Sequence, residues 1–360
     1  MKSILKISLD DIKYNWKLIN TASNGKAAAV LKANAYGMGM VEVARALFET
    51  GCNYFYVANI YEGLKLRKKF NSNKISIAIF EGYLEGNQNI YAENNLTPVL
   101  NSLEQLKRFK NFSGTKFVQK VIINIDTGMN RLGLSKKERD FLINNKDLLN
   151  DVKIDYIMSH LSNAQENENV INLLQLNELE KFCSNFPNIK VSFANSNGIK
   201  LGPNFCFDQT RPGIGLYGID NFGKNLNFSS ETLKLPLKLY APIIQIKKVN
   251  SGQKISYGGI DILKRNSILA TIGVGYADGW LRLLKLNSVF LIGNEKCKIV
   301  GNITMDSFVL DITDIKKNKL KEGDHICLLD NSNIENILKN NNIISYELLT
   351  LMGNRLHRNY

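Results

Sequence analysis

The sequence predicts a (β/α)8 TIM barrel followed by a second, mainly β domain, and three observations carry that fold class. Short apolar, β-branched runs alternate with amphipathic helical stretches through roughly the first two-thirds of the 360 residues, the pattern of strands and helices wound around a parallel sheet. Eight such runs precede Asn221, the number that closes a barrel. Beyond that point a loop with Gly and Asn leads into short strands bounded by turn residues, as expected of a mainly β region.

The eight runs are Ala27–Leu31, Tyr54–Ala58, Ile75–Phe80, Thr97–Leu100, Phe117–Ile125, Ile154–Ser159, Lys190–Ala194 and Phe205–Thr210. Between them the helical period recurs, for example at Val41, Ala44, Leu47 and Phe48, and at Ile171, Leu174, Leu179 and Phe182, so these residues are expected to face the core. The carboxy-terminal strands are read at Leu239–Val249, Ile268–Gly273, Val289–Ile292 and Phe308–Ile312. The division is therefore expected as a barrel domain over 1–228 and a mainly β domain over 229–360.

Composition narrows the function classes. Five cysteines, an odd number with no C-x-x-C pair, indicate reduced thiols in a cytoplasmic protein. Three histidines far apart in sequence offer no metal-ligand spacing, so no metal is expected. The amino terminus is broken by Lys6 and Asp10 before a signal-peptide core can form, and no apolar run has membrane-spanning length. The net charge of +13 raises the question of nucleic acid. Its lysines are spread over surface segments such as 65–69 and 316–321, without a basic arm or an aromatic platform, and no nucleic-acid partner is expected.

Lys32 ends an otherwise apolar strand in A-A-A-V-L-K-A-N-A-Y-G-M-G. A lysine there either reaches solvent past the strand end or stays partly buried, where desolvation favours the neutral amine that attacks carbonyls. The barrel makes a further demand: residues that do chemistry lie at the carboxyl ends of strands. Lys32 ends the first, Arg131 follows the fifth, His160 ends the sixth, Asn195 and Ser196 end the seventh, and Arg211 and Gly213 follow the eighth. Gly213, Gly215 and Gly218 match G-x-G-x-x-G, but Pro212 precedes them and a Gly- and Asn-containing loop follows, so a dinucleotide fingerprint is not supported. Backbone amides of Gly213 and Ile214 instead suit a phosphate, as loops after the last barrel strands commonly do.

K-A-N-A-Y-G (Lys32 to Gly37) and R-P-G-I-G-L-Y-G (Arg211 to Gly218) resemble motifs of the alanine racemases, which use pyridoxal 5'-phosphate. The resemblance implies that Lys32 holds the cofactor as a Schiff base and that Tyr36, with Ser196, Gly213 and Ile214, binds its phosphate. Asn195 belongs to the same cofactor set. It further implies that Arg211 faces the pyridine nitrogen and that His160 donates to or orients this arginine. A guanidinium accepts no hydrogen bond and keeps its proton, so a nitrogen facing it stays unprotonated and the ring is a weak electron sink. That favours return of a proton over transamination or decarboxylation.

Racemisation needs a base on each face of the α-carbon. By the resemblance one is Lys32 and the other Tyr257 in I-S-Y-G-G-I, a residue that taken alone is also an ordinary turn aromatic beside two glycines. A phenol is a poor base near neutrality unless a cation favours its phenolate, and Arg131 in D-T-G-M-N-R-L-G is the candidate cation and substrate-carboxylate contact. Tyr276 in G-Y-A-D-G and Met305 in T-M-D resemble pocket residues. The family's head-to-tail homodimer implies that Tyr257 and Met305 come from the partner subunit.

Three departures from the family pattern stand out. Asn124 occupies a position where many members carry a lysine, often carbamylated, so a bound anion such as chloride is the expected substitute beside Arg131. Asn354 stands where a tyrosine commonly precedes the arginine, here Arg355, and His357 replaces a frequent proline. The expected activity is interconversion of L- and D-alanine for peptidoglycan. Asn354 keeps serine, or a broader set of small amino acids, as the alternative substrate. An amino-acid decarboxylase on the same fold is the second alternative, and Arg211 argues against it.

Overall fold

The computed structural model of the chain describes residues 2–70, 74–113, 120–219, 232–285, 289–292, 295–316 and 319–360. Two compact units emerge, one formed by Asp10–Ala35 and Met40–Lys234, the other by Met1–Leu9, Tyr36–Gly39 and Leu235–Tyr360. The expected boundary at 228/229 lies outside the described residues. The amino-terminal residues and the Tyr36–Gly39 segment, expected in the barrel domain, group instead with the carboxy-terminal unit. Backbone pairing explains the first: β1 (Ile4–Ile7) runs antiparallel to β10 (Leu237–Val249).

The barrel unit has eight parallel strands in chain order: β2 (Ala29–Val30), β3 (Tyr54–Val57), β4 (Ser76–Ile79), β5 (Thr97–Leu100), β6 (Lys120–Asn124), β7 (Lys153–Met158), β8 (Val191–Asn195) and β9 (Gln209–Arg211). A parallel bridge between Ala27 and Thr210 joins the ends of this order and closes the ring. Strands buried on both faces read as continuous apolar runs, and β3 and β5 are buried at every residue. Helices cover the outside and are fixed at their starts by side chains. Asn59 accepts from the amide of Glu62, and Ser135 forms a capping box with Glu138.

Two expectations about the barrel need correction, at the eighth strand and on the helix Val170–Cys183. The eighth strand is not Phe205–Thr210: Pro203–Phe205 form a 3-10 turn, Phe207 has φ 42°, and pairing starts at Gln209. The fifth begins at Lys120 within the described residues, residues 117–119 lying outside them. The helix Val170–Cys183 buries Leu179 and Phe182 as expected but exposes Ile171 and Leu174, and its inward face also carries Asn172, Gln175 and Leu176. Gln175 is buried at little cost because both ends of its amide are hydrogen-bonded.

In the β unit the sheet order is β14 (Val289–Ile292), β15 (Glu295–Val300), β16 (Phe308–Asp311), β13 (Ser267–Ile272), β10, β1 and β18 (His357–Asn359), with β17 (His325–Leu329) also on β10. A two-stranded ribbon, β11 (Lys254–Ile255) and β12 (Asp261–Ile262), stands apart. Trp280, Phe290 and Phe308 are fully buried and pack with centroids 6.0–6.2 Å apart, the hydrophobic centre of this unit.

Gly37 belongs to the same unit and sits at φ 83°, where a Cβ would lie 2.4 Å from the Leu349 carbonyl oxygen. Both the backbone angle and the space exclude a side chain. Gly37→Ala is expected to lower unfolding free energy by roughly 2 kcal/mol or more, read as a shift in urea midpoint at constant slope. An unchanged midpoint would contradict the packing described for this segment.

Candidate active site

Lys32 lies two residues beyond the end of β2 and is only partly exposed. Its Nζ lies 5.9 Å from the Phe80 ring centroid and forms no ion pair among the described residues. Burial first, then the charge of Arg131, lowers its pKa from the ordinary lysine value, with Glu62 opposing. The backbone beyond it was not foreseen: Ala33, Asn34, Ala35 and Tyr36 all adopt φ between 52° and 55°, a left-handed helical turn. Each such residue costs roughly 1–2 kcal/mol, strain that collects at functional sites when the surroundings hold it.

Arg211 ends β9 and is the second-largest fully buried side chain. Its Nη1 donates to Ser192 Oγ at 2.7 Å, and its Nη2 donates to the carbonyls of Ser159 at 2.6 Å and Phe193 at 3.2 Å. Ser192 continues inward to Gln209, whose Oε1 accepts from the Tyr56 hydroxyl at 2.5 Å. The guanidinium is thus gripped by both terminal nitrogens, while its buried Nε has no partner among the described residues. A buried unpaired donor on a cation is costly unless a ligand satisfies it. The acceptor that fits is a neutral nitrogen or oxygen without a proton, such as a pyridine nitrogen. Burial lowers the pKa of Arg211 to about 10, which leaves it a cation at neutral pH.

His160 Nδ1 lies 3.5 Å from Arg211 Nη2. The arginine is the donor, so the histidine accepts, which corrects the expectation that it donates. Burial and the charges of Arg211, Arg131 and Lys32 push its pKa down to about 3. Burial is the largest influence and the three cations add to it, so the ring is neutral. Lys32, Arg131 and Arg211 thus all lie near enough to His160 to act on it, at the carboxyl ends of the barrel strands. Arg131 itself is exposed on the loop after β6. Asn124 ends that strand buried, its amide donating to Asn101 Oδ1 at 2.8 Å.

On the other side of the mouth Ser196 Oγ accepts from the amides of Gly213 at 2.9 Å and Gly215 at 3.1 Å. Its own hydroxyl hydrogen is left to donate elsewhere. Gly213, expected to offer its amide to a phosphate, therefore spends it on Ser196. The Ile214 amide enters no hydrogen bond among the described residues. Asn195 likewise is occupied: its side chain accepts from Gly198 at 2.8 Å and caps the helix Ser196–Lys200. These donors fit a phosphate with Ser196 and Ile214 as the contacts and Asn195 and Gly213 as their supports.

The β unit carries the remaining expected residues. Tyr36 is buried there with its ring 5.9 Å from Tyr346, and burial pushes its phenol pKa up. Tyr257 is 79% exposed on a turn that follows Ser256 at φ 61°, and its carbonyl accepts from Asn302. Tyr276 and Met305, both exposed, lie on adjoining loops: Tyr276 N donates to Thr304 O and Ala277 N to Met305 O, each at 3.1 Å. Arg355 ties these loops to its own by ion pairs with Asp278 at 3.1 Å and Asp306 at 2.7 Å. Asn354 beside it is exposed.

Sequence reasoning missed several supporting residues. Gln175, buried on its helix, accepts from Ser162 N and donates to His160 O and Thr127 Oγ1, tying the loops after β6 and β7 together. Ser192, Gln209 and Tyr56 grip Arg211 from inside. The one signal available was a polar residue inside an otherwise apolar strand, Ser192 in V-S-F-A.

A closed barrel with a partly buried lysine and an arginine nitrogen unpaired among the described residues at the carboxyl ends of its strands defines an enzyme of the (β/α)8 barrel class. Family models narrow this class: that of the alanine racemase N-terminal domain matches residues 7–221 and that of the C-terminal domain residues 236–360. An alanine racemase of Rickettsia bellii is 38% identical over 344 residues, covering 94% of this chain and 82% of that protein. One of Rickettsia prowazekii is 35% identical, covering 99% of this chain and 98% of its own. Among solved structures, alanine racemase from Bartonella henselae, with covalently bound pyridoxal phosphate, superposes with TM-score 0.93 at 36% identity, covering 100% of this chain and 99% of that one. The chain belongs to the alanine racemase family. Among the described residues, no helix is long and apolar enough to cross a membrane, and no group of His, Cys, Asp or Glu could hold a metal ion.

Proposed function

We propose that this chain interconverts L- and D-alanine with pyridoxal 5'-phosphate held on Lys32, in the cytoplasm, supplying D-alanine for peptidoglycan. The observation that carries the reading is the buried, unpaired Nε of Arg211 in the cluster that contains Lys32. When bound, the cofactor supplies a conjugated ring that withdraws electrons from the substrate's α-carbon and makes its proton removable.

Arg211 would hold the pyridine nitrogen through its Nε–H and, as a cation that keeps its proton, would keep that nitrogen unprotonated. Withdrawal then stays weak, which favours return of the proton over loss of the carboxylate and argues against the decarboxylase alternative. Neutral His160 and the Ser192 hydroxyl hold the guanidinium in place. Ser196 and Ile214 donate to the phosphate, joined by the Tyr36 hydroxyl. Lys32 Nζ takes or returns the α-proton on one face and the Tyr257 hydroxyl does so on the other. Arg131 pairs with the substrate carboxylate, next to the anion expected near Asn124.

The chain acts as a homodimer in this reading, with Tyr257 and Met305 serving the partner's site. Support comes from exposed apolar residues of the β unit, among them Tyr257, Ile260, Ile262, Tyr276, Leu283 and Met305. The test of the activity is loss of optical rotation when purified protein meets L-alanine, L-serine and L-lysine separately. Stable rotation with alanine would refute the assignment.

Serine is the second reading, favoured by the small, exposed Asn354. Discrimination between such close analogues in an apolar pocket is worth about 1–3 kcal/mol. Serine turnover is expected to be measurable but below that of alanine. Asn354→Tyr is expected to lower kcat/KM for serine more than for alanine, and an unchanged ratio would remove Asn354 from substrate selection.

A further inference from the structure

The left-handed turn after Lys32 is held from several directions. Ala35 N donates to Leu31 O at 2.7 Å, and Asn34 Oδ1 accepts from Met40 N at 3.0 Å. The first residue of the turn is held by a carboxylate. Glu62 Oε1 accepts from Ala33 N at 2.7 Å, while Oε2 accepts from Ala58 N at 2.8 Å just past β3. Glu62 is itself fixed, its amide capped by Asn59 at 3.0 Å and the helix start held by Glu81, which accepts from Ile60 N at 2.9 Å.

The same carboxylate, bonded to the residue after the lysine, acts electrostatically on it. Of the charged groups acting on Lys32, Arg131 disfavours its ammonium form and Glu62 favours it. His160 is neutral, and Phe80 presents only its ring. A group that must take a proton from carbon and later give it back works best when neither form is strongly preferred. Burial and Arg131 both weaken the ammonium form of Lys32, and Glu62 works against them.

We propose that Glu62 is a positioning residue for Lys32: its carboxylate clamps the strained turn that begins one residue beyond the lysine and offsets the charge of Arg131. This inference rests on the reading of Lys32 as the cofactor lysine. Two bonds to backbone amides fix the carboxylate in place, so its distance from the lysine stays constant through a reaction cycle.

The experiment follows capture of pyridoxal phosphate by the full-length chain freed of cofactor, read as growth of the yellow Schiff-base absorbance across pH. In capture the Nζ lone pair forms the bond to the aldehyde carbon, and the aldehyde oxygen leaves as water with two protons from the amine and the medium. Only the neutral amine reacts, so the rate falls on the acid side where Lys32 is protonated. Glu62→Gln keeps one acceptor oxygen and removes the charge. With less to stabilise the ammonium, the acid limb is expected to move to lower pH by about 0.5 unit or more.

Glu62→Asp withdraws the same charge by one methylene and serves where the Gln variant does not fold. Slower capture at every pH with a smaller downward shift is expected of it. A limb that stays at the wild-type pH in the variant studied, whatever the loss of rate, reduces Glu62 to a structural brace and overturns the proposal. A wild-type chain that captures no pyridoxal phosphate overturns the role of Lys32 itself, and that of Glu62 with it.

Discussion

Lys32→Ala is expected to yield a folded chain that loses the yellow Schiff-base absorbance on dialysis and racemises alanine slower by on the order of 10⁴-fold, because the anchor and one proton carrier are lost together. The size of the effect follows from the site. Lys32 is the strand-ending amine in the mouth cluster, held by a strained turn and without an ion pair among the described residues. Folding should be little disturbed, since the side chain is only partly buried and makes one ring contact. Retention of pyridoxal phosphate by the Ala chain through Ser196, Ile214 and Arg211, without the Schiff-base band, would separate binding from anchoring. A colourless wild-type chain with full activity would be decisive against the reading.

How far the sequence led can be judged at particular residues. Strand positions were legible wherever both faces are buried, because continuous apolar runs such as Tyr54–Val57 and Thr97–Leu100 have no rival reading of that length. The eighth strand was misjudged because Phe205, Cys206 and Phe207 are apolar yet form turns, Phe207 at positive φ. On the helix Val170–Cys183, periodicity pointed to Ile171 and Leu174, whereas the buried face carries Asn172 and Gln175, whose value lies in partners distant in sequence. Motifs located Lys32, Arg211 and His160. They could not reveal that Gly213 and Asn195 spend their hydrogen bonds on Ser196 and Gly198, or that Glu62, an ordinary acid in the first turn of its helix, reaches back to Ala33. Such pairings depend on which loops meet, and no local pattern encodes that.

Tyr257→Phe is the complementary experiment, expected to slow α-proton exchange from L-alanine by roughly 10²-fold or more while exchange from D-alanine falls far less. Removing one hydroxyl should leave folding intact: the ring is 79% exposed, and the backbone hydrogen bond that holds its turn, from Asn302 to the Tyr257 carbonyl, does not involve the phenol. Asymmetry between the isomers is the informative readout, since a residue that merely closed the pocket would slow both alike. Equal slowing would therefore remove Tyr257 from proton transfer. Mixing inactive Lys32→Ala and Tyr257→Phe chains then tests where the tyrosine acts. If each site takes Lys32 from one subunit and Tyr257 from the other, a mixed dimer holds one site with both residues intact and one with neither, so activity is expected to return to about one quarter of wild type at equal mixing. That figure follows from half the dimers being mixed and half their sites being whole, for random exchange between subunits. If both groups belonged to a single chain, every site in the mixture would lack one of them, and activity would stay at the level of the separate variants after verified exchange.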